Sequence, residues 1–275
     1  MDLSRVLEMA CQSDVGRVRS HNEDSLSCDP ASGLVVLADG MGGYNAGEVA
    51  SGIAVTLISS GIKEMLGQVD PERIDPKTGK CFALSMLHEQ VAAANLAIYH
   101  SANGNPGYAG MGTTLVAALF YDDRVSVAHL GDSRMYRFRD GILERLTHDH
   151  SLLQQQLDSG LVTPEEARHS QHRNIVTRAL GVEREAEAEI GSYETRPEDI
   201  YLLCSDGLND MLEDEEIRLI VDTMKSNLKL AVGQLIELAN ENGGRDNISV
   251  ILVKVRQNFA VRQGLFARFM SSFRK

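Results

Sequence analysis

Four apolar stretches of this chain each deliver an aspartate at one end, and that recurrence limits the fold more than any other feature of the sequence. LVVLADGMGG runs from Leu34 into Asp39 and a glycine-rich turn, VAHLGDS reaches Asp132, YLLCSDG reaches Asp206, and GGRDNISVILV opens with Asp246. Runs of leucine and β-branched residues closed by turn signals read as buried strands. The four carboxylates are therefore expected at strand ends. Gly40, Gly42 and Gly43 allow the sharp bend and close approach that a loop wrapped around an ion requires.

Along the chain, Ala10 to Asp24 reads as a first strand with a turn at Gly16, closing on the acidic pair Glu23 and Asp24. Arg19 shares a face with Asp24 only if the chain bends near Ser20 to Asn22. Asn45 to Leu66 is predicted helical, with Asn45 as N-cap and two apolar stripes, Val49, Ile53 and Leu57 beside Ile58, Ile62 and Met65. A Pro- and Gly-containing connection leads to a second helix from about Cys81 to His100. From Ala109 short strands and Asp- and Gly-containing turns suggest an antiparallel meander. Thr147 to Gly181 interrupts it with two short helices, N-capped by Ser151 and Thr163, and reads as a flap over a site. His148, Asp149 and His150 open that insertion, outside the strand-end pattern, and a loop-capping role is expected of them. Strands resume at Glu187 to Tyr193 and Asp199 to Ser205, helices at Glu213 to Met224 and Leu228 to Asn242, and a last strand at Ile248 to Val255. This order fits an α+β layered fold with antiparallel sheets rather than alternating βαβ units.

The net charge of −12 argues against nucleic acid as a partner. No unbroken apolar run has the length of a membrane span, and the N-terminal residues lack a signal-peptide pattern, so the cytoplasm is the expected location. Cys11, Cys28, Cys81 and Cys204 show no C-x-x-C spacing and are expected to be small, mostly buried thiols rather than zinc ligands or disulfide partners.

Carboxylates that converge at strand ends repel one another, and a cation is the natural counter-charge. An all-oxygen donor set favours Mg²⁺ or Mn²⁺ over zinc. Two such ions bridged by a water would lower its pKa and direct hydroxide at a phosphorus held by a guanidinium. There is no P-loop, nucleophile elbow or dinucleotide-binding fingerprint to support a competing chemistry.

Seven stretches in order carry a family resemblance: GRVRSHNEDS, VVLADGMGGYNAGEVAS, GMGTTLVAAL, HLGDSRMYR, LTHDHS, LLCSDGLNDML and GGRDNISVILV. Together they resemble the motif series of the PP2C-type metal-dependent protein serine/threonine phosphatases, in the short bacterial branch, over roughly residues 8 to 256. The resemblance implies a central β-sandwich of two antiparallel sheets flanked by helices on both sides, with a flap within 147–181. It implies that Asp39 bridges two Mn²⁺ or Mg²⁺ ions, that Gly40 adds its carbonyl, and that Asp206 and Asp246 ligate one ion while Glu23 and Asp24 hold the other through waters. Asp132 with Asp206 would form a third site, Arg19 would clamp the substrate phosphate, and Asn247 and Ser133 would brace the site. Phosphoserine and phosphothreonine proteins are the implied substrates, hydrolysed by a metal-bridging water or hydroxide, with a serine/threonine kinase as the opposing partner.

Two positions depart from the pattern. Met41 stands where some relatives carry a histidine proposed as general acid, and Tyr44 replaces a histidine common after the double glycine. Two alternatives share the fold: a non-catalytic phosphoprotein-binding module, and a phosphatase of small phosphoesters. The phosphatase domain is expected over 1–256. Residues 257–275 form a basic tail with Arg262, Arg268, Arg274 and Lys275 interleaved with Phe and Leu, suited to membrane-surface contact, docking to a partner, or packing back on the acidic domain.

Overall fold

The computed structural model describes residues 2–43, 46–76, 78–167 and 175–261. Its frame is a pair of antiparallel sheets. One contains β2 (Asp24–Asp29), β3 (Leu34–Met41), β5 (Leu115–Tyr121), β6 (Arg124–Leu130) and β9 (Glu189–Glu194) in that order, with β4 (Gly112–Thr113) pairing β3. The other follows the order β1 (Leu7–Asp14), β11 (Ile248–Val255), β10 (Ile200–Cys204), β7 (Arg134–Arg139) and β8 (Ile142–Arg145). Alternation along the strands sorts their side chains into layers. Val35 and Leu37 of β3 meet Tyr201 and Leu203 of β10 and Ile251 and Val253 of β11 between the sheets, whereas Leu34, Val36 and Ala38 face helices.

Helices α1 (Ala46–Leu66) and α2 (Phe82–Gly104) cover the first sheet, and α6 (Asp214–Met224) and α7 (Leu228–Glu241) the second. The face of α1 that is buried differs from the expected stripes. Ala46, Ala50, Ala54, Ile58 and Ile62 are buried, while Leu57 is exposed. Small side chains let the helix lie close to β3, and burying Ile58 and Ile62 contributes roughly 1.5–3 kcal/mol each. By length and composition α1 could cross a membrane, but here it is a core helix.

The expected meander breaks at Gly131–Ser133. β5 and β6 pair with each other, and β7 and β8 likewise, but β7 leaves for the opposite sheet, where it lies beside β10. Gly131 makes the crossing, with φ +104 and the Thr114 side chain 2.7 Å from where a Cβ would stand. The short helices α3 (Leu152–Asp158) and α4 (Pro164–Ala167) form where the insertion was expected, with the Ser151 hydroxyl accepting from Gln154 N–H and that of Thr163 from Glu166 N–H. A further short helix, α5 (Asp206–Asn209), follows β10 directly.

Of the four cysteines only Cys204 is buried; Cys11 is exposed because it lies on β1, an edge strand. Beyond β11, Phe259 is buried in the inter-sheet core, and its N–H donates to Asp123. Residues 262–275 of the expected basic tail lie outside the described residues, as does the N-cap expected at Asn45.

Candidate active site

The apolar layer between the sheets ends in polar residues. The interior face that carries Val35 and Leu37 continues to Asp39, and the matching faces of β2, β10 and β11 continue to Asp24, Ser205 and Ser249. Asp24 and Asp39 stand opposite each other in the β2–β3 ladder. Asp132 comes from the sheet crossing, Asp206 from the first turn of α5, and Asp246 from the loop before β11. A cavity of about 200 Å³ opens here, lined by Arg19, Glu23, Asp39, Gly40, Asp132, Asp206 and Asp246 together with Met41, Thr114 and Asn247. Asp24 is the exception among the expected residues: it is buried behind Asp39, and its Oδ2 accepts from Ser205 Oγ at 2.8 Å.

Backbone contacts hold this arrangement. A Cβ on Gly40 would stand 2.1 Å from the Gly47 carbonyl, so β3 and the start of α1 touch through their main chains. Thr114 binds Asp39 twice, its N–H donating to the Asp39 carbonyl at 2.9 Å and its hydroxyl accepting from Asp39 N–H at 3.1 Å. The same hydroxyl reaches Ser133 Oγ at 2.8 Å, which links Asp39 to the Asp132 turn. Asn247 accepts from Glu23 N–H at 2.8 Å and donates to the carbonyls of Val15 and His21, tying the Arg19 loop to the Asp246 loop. The expected bend is present at Ser20 and His21, but it aims Arg19 at Asp246, with an Nη2–Oδ2 distance of 2.7 Å.

Burial without counter-charge dominates the electrostatics. Asp39 and Asp206 are held well above the usual carboxylate range, first by desolvation and then by neighbouring aspartates. Burial likewise pushes Asp132 up to about 6 and Asp24 up to about 7. Asp24 Oδ1 and Asp206 Oδ1 are buried with no hydrogen-bond partner. Orphaned oxygens on crowded, desolvated carboxylates are what a hard cation would satisfy, so the donor set fits Mg²⁺ or Mn²⁺.

The segment expected to cap a loop lies closer to the site. Asp149 is buried and takes both Nε and Nη2 of Arg134, at 3.0 and 2.7 Å to its two oxygens. It lines a smaller cavity shared with Asp132 and Asp206. His150 is buried against Gly131, and His148 is an exposed partner of Asp158. Met41 lines the main cavity, and Tyr44 lies outside the described residues. Thr114, Ser205, Asp149 and His150 are the participants the strand-end pattern missed. The sequence signals for them were the TT, CSDG and DHS stretches.

Comparison with known proteins places this geometry. The family model described as protein phosphatase 2C matches residues 15–231. The serine/threonine phosphatase stp of Listeria monocytogenes is 37% identical over 246 residues, covering 88% of this chain and 94% of that protein. The serine/threonine protein phosphatase PstP of Mycobacterium tuberculosis is 39% identical over 250 residues, 91% of this chain but 45% of that longer protein. Its crystal structure superposes with a TM-score of 0.82 at 39% identity, covering 92% of this chain and 100% of that one. The PstP catalytic domain solved with two manganese ions gives a TM-score of 0.78 at 38% identity, covering 92% and 99%. With the family model matching most of the chain, and with relatives of this identity sharing its fold, the chain belongs to the protein phosphatase 2C family.

Proposed function

We propose that the chain is a metal-dependent protein serine/threonine phosphatase. The observation that carries this reading is the convergence of Asp39, Asp132, Asp206 and Asp246 with Arg19 around one cavity, the buried Asp206 Oδ1 lacking a hydrogen-bond partner. In the proposed arrangement Asp39, Gly40, Asp206 and Asp246 hold two Mn²⁺ or Mg²⁺ ions, Glu23 and Asp24 contribute from the β2 side, and Asp132 with Asp206 takes a third. When bound, these ions neutralise the carboxylates and supply Lewis acidity and a water acidified toward neutral pH.

The chain's own contribution is positioning and charge. Arg19 is half-exposed and held by Asp246 alone among the described residues, so its guanidinium can turn to grip two oxygens of a phosphomonoester. Asn247 and Thr114 fix the loops on which Arg19, Asp246 and Asp39 stand. Overall one P–O ester bond is exchanged for one P–OH, and water supplies the hydrogen that leaves on the serine or threonine hydroxyl. Met41 carries no transferable proton, so that position does not act as the general acid.

Phosphoproteins are the substrate class. A serine/threonine kinase of the same cell is the proposed opposing partner, and the cytoplasm the proposed compartment. The basic residues after Val261 are the segment proposed for partner or membrane-surface docking. Truncation to test it belongs after Val261, because Phe259 is part of the core; unchanged kinase and vesicle binding by the truncated protein would exclude the tail. The activity itself is tested by phosphate release from a phosphothreonine peptide with and without Mn²⁺, in wild type, Asp39→Ala and Asp206→Ala. Release that needs Mn²⁺ and is lost in both variants is expected. A folded, Mn²⁺-binding wild type that releases none would reject the reading.

A further inference from the structure

His129, His150 and Glu189 form a second polar cluster, their ligand-type atoms within 4.8 Å of one another. It resembles a metal site, but its hydrogen bonds indicate another role. Gly131 N–H points at His150 Nδ1 at 3.1 Å, so Nδ1 is the acceptor and Nε2 carries the hydrogen, which it donates to Glu189 Oε1 at 3.0 Å. His129 Nε2 is likewise engaged by the main chain of His148, 3.0 Å from its carbonyl oxygen and 3.3 Å from its N–H nitrogen. Metal on His150 Nε2 would move the hydrogen to Nδ1, where it would meet Gly131 N–H head on.

His150 also bonds Gly131 through its main chain, its N–H donating to the Gly131 carbonyl at 2.8 Å, and its own carbonyl accepts from Thr177 N–H at 2.8 Å. Both polar groups of the glycine before Asp132 are thus held by one residue. On the other side of Asp132, Ser133 bonds Thr114, and Arg134 is gripped by Asp149. Thr177 follows Val176, which lines the catalytic cavity, so the same residue joins the Asp132 turn to the returning end of the insertion.

We propose that His150 is a positioning residue: by accepting Gly131 N–H at Nδ1 it sets where Asp132 stands relative to Asp206, and so the affinity of the ion those two carboxylates share. Glu189 fixes the tautomer that makes this possible. The inference rests on Asp132 as a cation ligand. Its test reads ion binding directly, so it is decided separately from phosphatase activity.

The probe is Mn²⁺ alone, titrated calorimetrically and by electron paramagnetic resonance into the full chain. His150→Asn places an amide oxygen near the Nδ1 position and keeps the acceptor. His150→Gln reaches toward Glu189 but leaves Gly131 N–H unanswered. The Mn²⁺ site that is lost in Asp132→Asn is expected to lose about tenfold or more in affinity in His150→Gln, the usual scale for an outer-shell partner, and to stay within about threefold of wild type in His150→Asn. The other ions are expected to be unaffected. Adding His150→Gln to Asp132→Asn should cause no further loss.

Glu189 is half-exposed, so variants there keep the test open if His150→Gln fails to fold. Glu189→Ala should weaken the same site, and Glu189→Gln, which still accepts, should restore it. Wild-type Mn²⁺ binding in both His150→Gln and Glu189→Ala would overturn the proposal, as would equal losses in His150→Asn and His150→Gln. A bound ion that disappears in His129→Ala would overturn it in favour of a His–His–Glu metal site.

Discussion

Replacing Asp24 by Asn should make the metal-free protein more stable and the Mn²⁺-loaded protein gain less from its ions. Asp24 is buried behind Asp39, and desolvation, with the charge of Asp246 adding to it, raises its pKa from the ordinary 3.8 to about 7. A raised folded-state value means that the native chain binds more protons than the unfolded one between those limits. The contribution of Asp24 to stability without metal is therefore highest below pH 3.8, falls as pH rises toward 7, and is level above it. At about 1.4 kcal/mol per tenfold change in proton affinity, the interval amounts to a ceiling of about 4 kcal/mol. With an unfolding entropy of about 2.1 cal/mol/K per residue over 275 residues, this corresponds to about 7 °C in Tm.

Asn keeps an oxygen for the Ser205 hydroxyl and removes the charge. In EDTA at pH 7.5 the variant should melt higher than wild type by up to that amount, and the difference should shrink as pH is lowered toward 5. With saturating Mn²⁺ the order should narrow or reverse, because wild type then has its counter-charge. Scanning calorimetry at several pH values, with and without Mn²⁺, reads all of this. A variant less stable than wild type in EDTA at every pH would refute the reasoning, since lost packing or hydrogen bonding would then outweigh the charge.

Arg19→Ala should lower kcat/KM on a phosphothreonine peptide by roughly 10- to 100-fold, the weight of one charge-assisted contact, and an unchanged value would remove Arg19 from phosphate binding. Asp149→Ala should destabilise the fold by about 3–5 kcal/mol, because it strands a largely buried guanidinium; denaturant unfolding within 1 kcal/mol of wild type would show that Arg134 finds water instead. Cys11 should be the first cysteine alkylated near neutral pH, since the adjacent Cys28 thiol lowers its pKa to about 7. Thiolate rises with pH, so labelling should increase through pH 7, and Cys28→Ala should move that rise toward the ordinary value; indifference to the substitution would contradict the pairing.

The strand-end aspartates were legible because an apolar run with an Asp at one end is a local signal, and β3, β10 and β11 form where it lies. Arg19 was visible as a residue but its partner was not: Asp246 is 227 positions away, and periodicity carries no information about such pairs. The sheet crossing at Gly131 was hidden for a similar reason, since β6 and β7 each look like meander strands until their neighbours are known. The buried stripe of α1 was misread because Ala46, Ala50 and Ala54 carry little hydropathy, although their small size is what brings the helix onto β3. Asp149 and His150 seemed to belong only to a loop, and their importance lies in the partners Arg134 and Gly131, which the fold supplies.

The central place of β11 has a consequence for how this molecule comes into being. It lies between β1 and β10 and pairs Ile248 with Asp14, so the first strand made waits for the last. Glu23, Asp24 and Asp39 emerge early in synthesis, but Asp246 and Asn247 arrive only as β11 is about to enter. Closing so long a loop is slow compared with forming the hairpins of the other sheet. A growing chain with β11 still in the ribosome would thus lack Asp246 at the site, and with it the anchor for Arg19. Such a nascent chain is expected to be catalytically silent, so activity begins only with the insertion that completes the sandwich.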